Sequence, residues 1–563
     1  MTFKLRRFLL GMLVAGLCVE PVFARSSVDT LISGGIVYNM PPDTVIGISD
    51  GKISYLGEGQ GAKALVTDTT TRIDAKGASI YPGFIDLHTH LFDTIGFENV
   101  SCEVDIHSSS SSKDACQQRA EELESGQWLV GYAKGLLTAN LKSLTPKEWL
   151  DARFPHVPVV ICEPHSSVIW MNSVALQQMK INKHSVDPIG AKILRTPQKV
   201  ASGVVLGSLS EMVLEEALRT HEMDMNQVLN RFETLALDLQ KSGITSIGES
   251  GGFWNHGGLQ FWQKVAQDYN LGFRVSVRPR LSPFKGVNDQ LVQLTSMYRN
   301  DLNALFLLNQ VKINVDGQYR LGTARLTQPY DKATVPSEPN GLFYFTPTEL
   351  NTWLTRLEEV NFGAYIHAEG DAAVEAALYS IQNARQKSDD QRFTITGMQF
   401  IKPVQYPLFS EMGVTVNFLF NAVRRADLAH DQLNHAKVVS IKSLEHFSTS
   451  VALSSGGFGA HYTPPLKRIA ENLQQPTKYR VKDIHKAIEA YTIEPAKSLG
   501  IESVTGSLVI GKSADLVFID KDLTQLSAEQ IAKSTVLLTM LQGGITYQHE
   551  KALPMTSGSN SMF

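Results

Sequence analysis

Two histidines, His88 and His90, close the segment Tyr81-Pro82-Gly83-Phe84-Ile85-Asp86-Leu87-His88-Thr89-His90. Phe84, Ile85 and Leu87 read as a strand, and side chains two apart on a strand point the same way. Both imidazoles can then face one divalent cation, and neutral ring nitrogens suit zinc. Three cysteines follow, Cys102, Cys116 and Cys162, and no pair of them has zinc-finger spacing. Cys102 and Cys116 either close a short disulfide loop through Ser108–Ser112 or remain, with Cys162, as partly buried thiols.

The elements around these residues alternate in kind. Thr346-Pro347-Thr348-Glu349 is a helix start, with a Thr cap, Pro first and Glu three residues after the cap. Leu350, Trp353, Leu354, Leu357 and Val360 then form one apolar stripe. Gly363 stops that helix, Ala364-Tyr365-Ile366 reads as a buried strand ending at His367, and 371–384 reads as the next helix. Similar strands begin helical units at 244–248, 274–277, 311–315, 414–418 and 451–454. Strand and helix alternating over this length predict an α/β fold, a (β/α)8 TIM-like barrel rather than an open sheet, with functional residues at the strand ends. The stretch 125–240 exceeds one βα unit and reads as an insertion. Both ends look like β. Thr30–Val37, Thr44–Ser49 and Lys52–Leu56 lead in, with Asp50-Gly51 as a hairpin turn. Segments 506–512, 515–520, 535–541 and 546–547 lead out.

The chain has 563 residues, 43% hydrophobic and 19% charged, which is globular composition and excludes disorder. A net charge of −4 offers no basic field for nucleic acid. Residues 1–24 read as a signal peptide: Lys4, Arg6 and Arg7, an apolar run from Phe8 to Val19, then small residues ending at Ala24. The expectation is a periplasmic or secreted protein with no stable membrane insertion after cleavage. The expected partner is a small-molecule substrate, and a homo-oligomer is left open.

Pro-Gly-Phe-Ile-Asp-x-His-x-His at 82–90 resembles the first-strand signature of the amidohydrolase superfamily of metal-dependent hydrolases. Gly506-Ser507-Leu508 through Val517 is similar to that superfamily's closing β segment, and Thr492–Gly500 to its last barrel helix. Val311–Gly317 and His367–Val374 resemble the family-3 branch, which includes N-substituted formamide deformylases. The resemblance implies a β-sandwich from residues 25–82 and 501–550, a barrel over 83–500 and a tail at 551–563. It also implies a metal site at the strand tips, carried onto His88, His90, Lys312 and His367, with Lys312 carboxylated. A bare ammonium at Lys312 between Val311 and Ile313 is costly unless paired, for instance with Asp316. A carbamate would make it an anionic ligand.

Two positions depart from the family pattern. Gly397 stands where a sixth-strand histidine ligand is expected. Gly456 stands where the eighth-strand Asp, a ligand and general base, is expected. Candidate stand-ins for the base are Asp316, Glu369, Asp371 and His461, although Asp371 alternatively caps its helix. Arg424 and Arg425, after the seventh strand, either bind an acidic substrate group or form a solvated pair. The expected activity is hydrolysis of a non-peptide carbon–nitrogen bond (an amide, N-formyl, N-acyl or cyclic amide) by metal-activated water. The competing expectation is an impaired scaffold that binds a ligand or metal without turnover.

Overall fold

The computed structural model describes residues 27–557 apart from 107–114, 165, 252–256, 269–270, 332, 388–390, 420–436, 458–461 and 551–552. The expected signal peptide, Arg424, Arg425 and His461 therefore lie outside the described residues.

Eight parallel strands make the centre: β1 (Phe84–Thr89), β2 (Ile244–Glu249), β3 (Arg274–Val277), β4 (Gln310–Asn314), β5 (Gly363–His367), β6 (Phe393–Thr396), β7 (Thr415–Leu419) and β8 (Val451–Ser454). β1, β2 and β3 pair in that order, and β4 to β8 form a second ladder. The two ladders join where Phe306–Leu307 pairs with β3 and the Lys312 amide and carbonyl bond Pro279 and Leu281. At the other end, the Ser455 N–H donates to Asp86, which brings the end of β8 to β1. Nearly every residue of these strands is buried. Parallel strands covered on both faces read as continuous apolar runs for this reason.

The helix signals hold. Thr346 caps Pro347–Arg356 with a reciprocal capping box to Glu349. The helix Met225–Lys241 starts on Asp224 and buries Val228, Leu229, Phe232, Leu235 and Leu239 in the same core as β2 and β3. Phe261 and Trp262 pack against Phe232, so they serve that core.

Two five-stranded sheets draw on both chain ends. One holds Thr30–Ser33, Thr44–Ser49, Lys52–Glu58, Thr71–Asp74 and Met555–Ser557. The other holds Ile36–Val37, Ser79–Pro82, Leu516–Ile519, Val536–Leu541 and Gly544–Gln548. Ile32, Ile46 and Ile73 of the first meet Ile80, Phe518 and Leu538 of the second in one apolar cluster. Asp50 and Gly51 both take positive φ, 50° and 72°, as the two-residue hairpin between Ser49 and Lys52 requires. The expected strand at 506–512 does not form: that segment loops past the hairpin, where the Lys512 carbonyl accepts from Ile53.

The added sheet begins earlier than 125. Its six strands run from Ser101–Glu103 to Ala201–Gly207. It includes the segment tied by a Cys102–Cys116 disulfide, whereas Cys162 is a free, buried thiol.

Candidate metal centre

The four expected ligands line one cavity of about 570 Å³ between the strand tips and the added sheet. The backbone explains the first pair. Glu249, at the end of β2, is buried and accepts from Thr89 Oγ1 at 2.9 Å, Leu91 N at 3.0 Å and Phe92 N at 2.8 Å. That carboxylate fixes the turn after β1 and the start of helix Leu91–Val100, a favourable place for negative charge. His88 and His90 project from either side of the residue it holds.

His88 Nε2 and His90 Nε2 lie 3.1 Å apart. Two nitrogens each about 2.0–2.1 Å from one tetrahedral ion are separated by a little over 3 Å, so the pair fits a shared cation. The outward nitrogens are engaged too. His88 Nδ1 meets Tyr365 Oη at 2.8 Å, and His90 Nδ1 meets Asp93 Oδ2 at 3.2 Å. Such outer partners orient metal-binding imidazoles. Burial, with His90 and Lys312 nearby, holds His88 well below the usual imidazole range. It is therefore neutral, the form that binds metals.

Lys312 is 4% exposed, with Nζ 4.9 Å from the Tyr365 ring centre. Burial, followed by the Arg280 and Arg278 guanidinium groups, pushes its ammonium far below the ordinary value. A neutral amine is the form that can take up carbon dioxide. The expected alternative partner, Asp316, is committed elsewhere. Its oxygens accept from Arg325 N, Glu369 N and Gly370 N at 2.8, 2.9 and 2.9 Å, clamping the segments after β4 and β5.

His367 ends β5 with its pKa lowered to about 3 by burial and by Lys312. Its ring occupies the space beside Gly397. A Cβ at position 397 would lie 2.5 Å from His367 Cε1, and Gly397 has φ +83°. The missing histidine and the pose of His367 are thus one feature. Gly456 differs: it faces the cavity, and a Cβ there would make only ordinary contacts with Leu419, although φ is +70°. Among the described residues, no three His, Cys, Asp or Glu side chains converge to hold a metal. A site here rests on the His88–His90 pair and needs Lys312 as a further ligand.

The candidate bases fare unequally. Asp316 lines the cavity, with its pKa raised by burial to about 7. Glu369 and Asp371 are corrected: neither is among the cavity-lining residues. The Glu369 carboxylate receives the Tyr319 N–H, and burial next to Asp316 raises its pKa to about 8. Asp371 is the first residue of helix Asp371–Arg385 and accepts from Thr327 N at 2.9 Å.

Several site residues were not foreseen. Tyr365 and Asp93 carried a signal, since they stand two residues before His367 on a strand and three after His90. Arg278 and the group Arg280–Glu211–Asn314 did not. Glu211 reaches from the helix Ser208–Arg219 to Arg280 at 3.2 Å and Asn314 at 2.9 Å, joining the added region to the strand tips.

The amidohydrolase family profile matches residues 71–547, and the chain belongs to that family. It is 20% identical to the N-substituted formamide deformylase of Arthrobacter pascens, covering 89% of this chain and 94% of that one. It is 24% identical to the protein LONG AFTER FAR-RED 3 of Arabidopsis thaliana, covering 92% and 91%. The fold is shared with an uncharacterized metal-dependent hydrolase from Pyrococcus horikoshii, with a TM-score of 0.63, 18% identity and 89% and 99% coverage.

Proposed function

We propose that this chain is an exported hydrolase that cleaves a non-peptide carbon–nitrogen bond in a small amide, N-formyl, N-acyl or cyclic amide substrate. One divalent ion, zinc by the chemistry of its imidazole donors, is held by His88 and His90. Carboxylated Lys312 is the third ligand, and His367, which does not converge with the pair, lines the same cavity. The observation that carries this reading is the pair of Nε2 atoms 3.1 Å apart, each ring held from behind, at the floor of a substrate-sized cavity. A divalent ion bound there would lower the pKa of water and polarise a carbonyl. The protein's part is to keep its ligands neutral and oriented and to enclose the substrate between the strand tips and the added sheet. The eight parallel strands read as a closed (β/α)8 barrel, and the two terminal sheets as one β-sandwich. Export is supported by the leader-like residues 1–24 and by the Cys102–Cys116 disulfide, a bond favoured in oxidising compartments.

A second reading has its own observation. The His367 ring fills the place of the sixth-strand ligand, and glycine stands at 456. A scaffold so altered would bind a metal or small ligand without turnover.

Metal analysis of the purified protein, together with an amide and formamide panel, separates the two. The enzyme reading expects about one tightly held ion per chain and turnover, both lost in His88→Ala/His90→Ala. An ion without turnover favours the second reading. Turnover retained in the double variant refutes metal-assisted chemistry here.

A further inference from the structure

Behind the histidine pair runs a buried chain of hydrogen bonds. His88 Nδ1 meets Tyr365 Oη at 2.8 Å, Asn417 Nδ2 donates to the same Oη at 2.7 Å, and Asn417 Nδ2 also donates to Ser454 Oγ at 2.9 Å. The chain crosses from β1 through β5 and β7 to β8, and none of its members is more than 4% exposed. The Tyr365 ring also packs against the Arg278 guanidinium and the Lys312 amine, with Arg278 Cζ 4.1 Å and Lys312 Nζ 4.9 Å from its centre. One side chain therefore touches both His88 and Lys312.

Proton placement gives the hydroxyl a specific task. Asp93 is a carboxylate beside His90 Nδ1, so that nitrogen carries the proton and His90 Nε2 presents a lone pair. In the metal-free protein, a direct hydrogen bond between the two Nε2 atoms at this spacing would place the His88 proton on Nε2. His88 Nδ1 is consequently a bare acceptor, and Tyr365 O–H donates to it. For both Nε2 atoms to face a cation, His88 must carry its proton on Nδ1 instead, and Tyr365 must accept. The ring holds one proton in each state: one leaves Nε2 for solvent and one is taken up at Nδ1. A hydroxyl serves both states, whereas a carboxylate could only accept.

We propose that Tyr365 is a positioning residue that sets the ring plane and tautomer of His88 for metal binding, with Asn417 holding its hydroxyl in place. This rests on the metal reading given above. The test uses the whole purified chain, stripped with a chelator and reloaded with Zn²⁺ or Co²⁺. Affinity is read by competition against a chromophoric chelator, and ligand geometry by the visible Co²⁺ spectrum. Tyr365→Phe is expected to weaken Zn²⁺ binding about 10–100-fold and to shift the Co²⁺ bands. Asn417→Ala is expected to weaken it about tenfold. Tyr491→Phe is the control, because it removes a buried hydroxyl that makes no hydrogen bond among the described residues. Its affinity and spectrum are expected to match the parent protein. Tyr365→Phe with parental affinity and spectrum overturns the proposal and leaves the metal reading standing. A parent chain that takes up no ion overturns both. Should Tyr365→Phe fail to fold, Asn417→Ala decides alone, and parental affinity in that variant sinks the proposal.

Discussion

At the scale of single residues, the informative position is Gly397. A sequence comparison alone would suggest restoring the family's histidine there. The structure predicts that this fails, because the first added atom meets the His367 ring at 2.5 Å and the backbone sits at φ +83°. A non-glycine residue in such a conformation costs on the order of 1–3 kcal/mol, before any displacement of the ring. Gly397→His is therefore expected to lower the thermal midpoint and to leave metal stoichiometry at or below that of the parent. Calorimetry and metal analysis check this. A variant of undiminished midpoint holding a second ion would show the steric account to be wrong. The same logic explains why Asp316 resembles a base in sequence yet works as a clamp, since three backbone N–H groups converge on its carboxylate.

At the scale of elements, the clearest case is the helix Pro347–Arg356, which precedes the β5 strand that carries Tyr365 and His367. Its Thr346 Oγ1 accepts from Glu349 N at 3.2 Å, while Glu349 Oε2 accepts from Thr346 N at 2.8 Å. Loss of such a cap costs about 1 kcal/mol. Thr346→Ala is expected to speed amide exchange in the first turn of that helix roughly fivefold, with Thr346→Ser close to the parent. Equal exchange in all three proteins would mean that packing of Leu350, Trp353 and Leu354, not the cap, sets local stability. The added sheet follows the same rule of local cause. Asn172 caps helix Ser173–Gln178 and holds the carbonyls of Phe154 and Val157.

At the scale of the whole molecule, Asp86 joins the two ends of the strand array. Its carboxylate accepts from His88 N and Ser455 N, and burial raises its pKa from the ordinary 3.8 to about 6. The folded state thus holds this proton to higher pH than the unfolded chain does. The contribution to stability is intact below about pH 4 and is lost as pH rises through 6, amounting to roughly 3 kcal/mol above pH 7. Asp86→Asn keeps an acceptor but cannot ionise. Its thermal midpoint is expected to gain on the parent steadily between pH 4 and pH 7, by differential scanning across that range. A pH-independent gap between the two proteins would rule out Asp86 as the titrating group. Among the described residues, no helix is long and apolar enough to cross a membrane.

Features set by local chemistry could be read directly from the residues. The Asp50-Gly51 hairpin, the Thr346 capping box, the strands 274–277 and 451–454 and the His-x-His spacing all follow from turn geometry, cap bonding and period-two alternation. The family was legible for the same reason, since its signatures lie in short contiguous segments. Features that needed the assembled fold lie between segments far apart in the chain. Helix Met225–Lys241 belongs to the central core and not to the insertion, because its apolar face meets β2 and β3. Segment 506–512 is a loop, because its backbone groups serve a hairpin some 450 residues earlier. Tyr365 behind His88, Glu249 behind the turn at Leu91 and the His367 ring over Gly397 are contacts across strands. No spacing along one strand records which side chain will face it from another, so the supporting shell of the site became visible only once the strands were assembled.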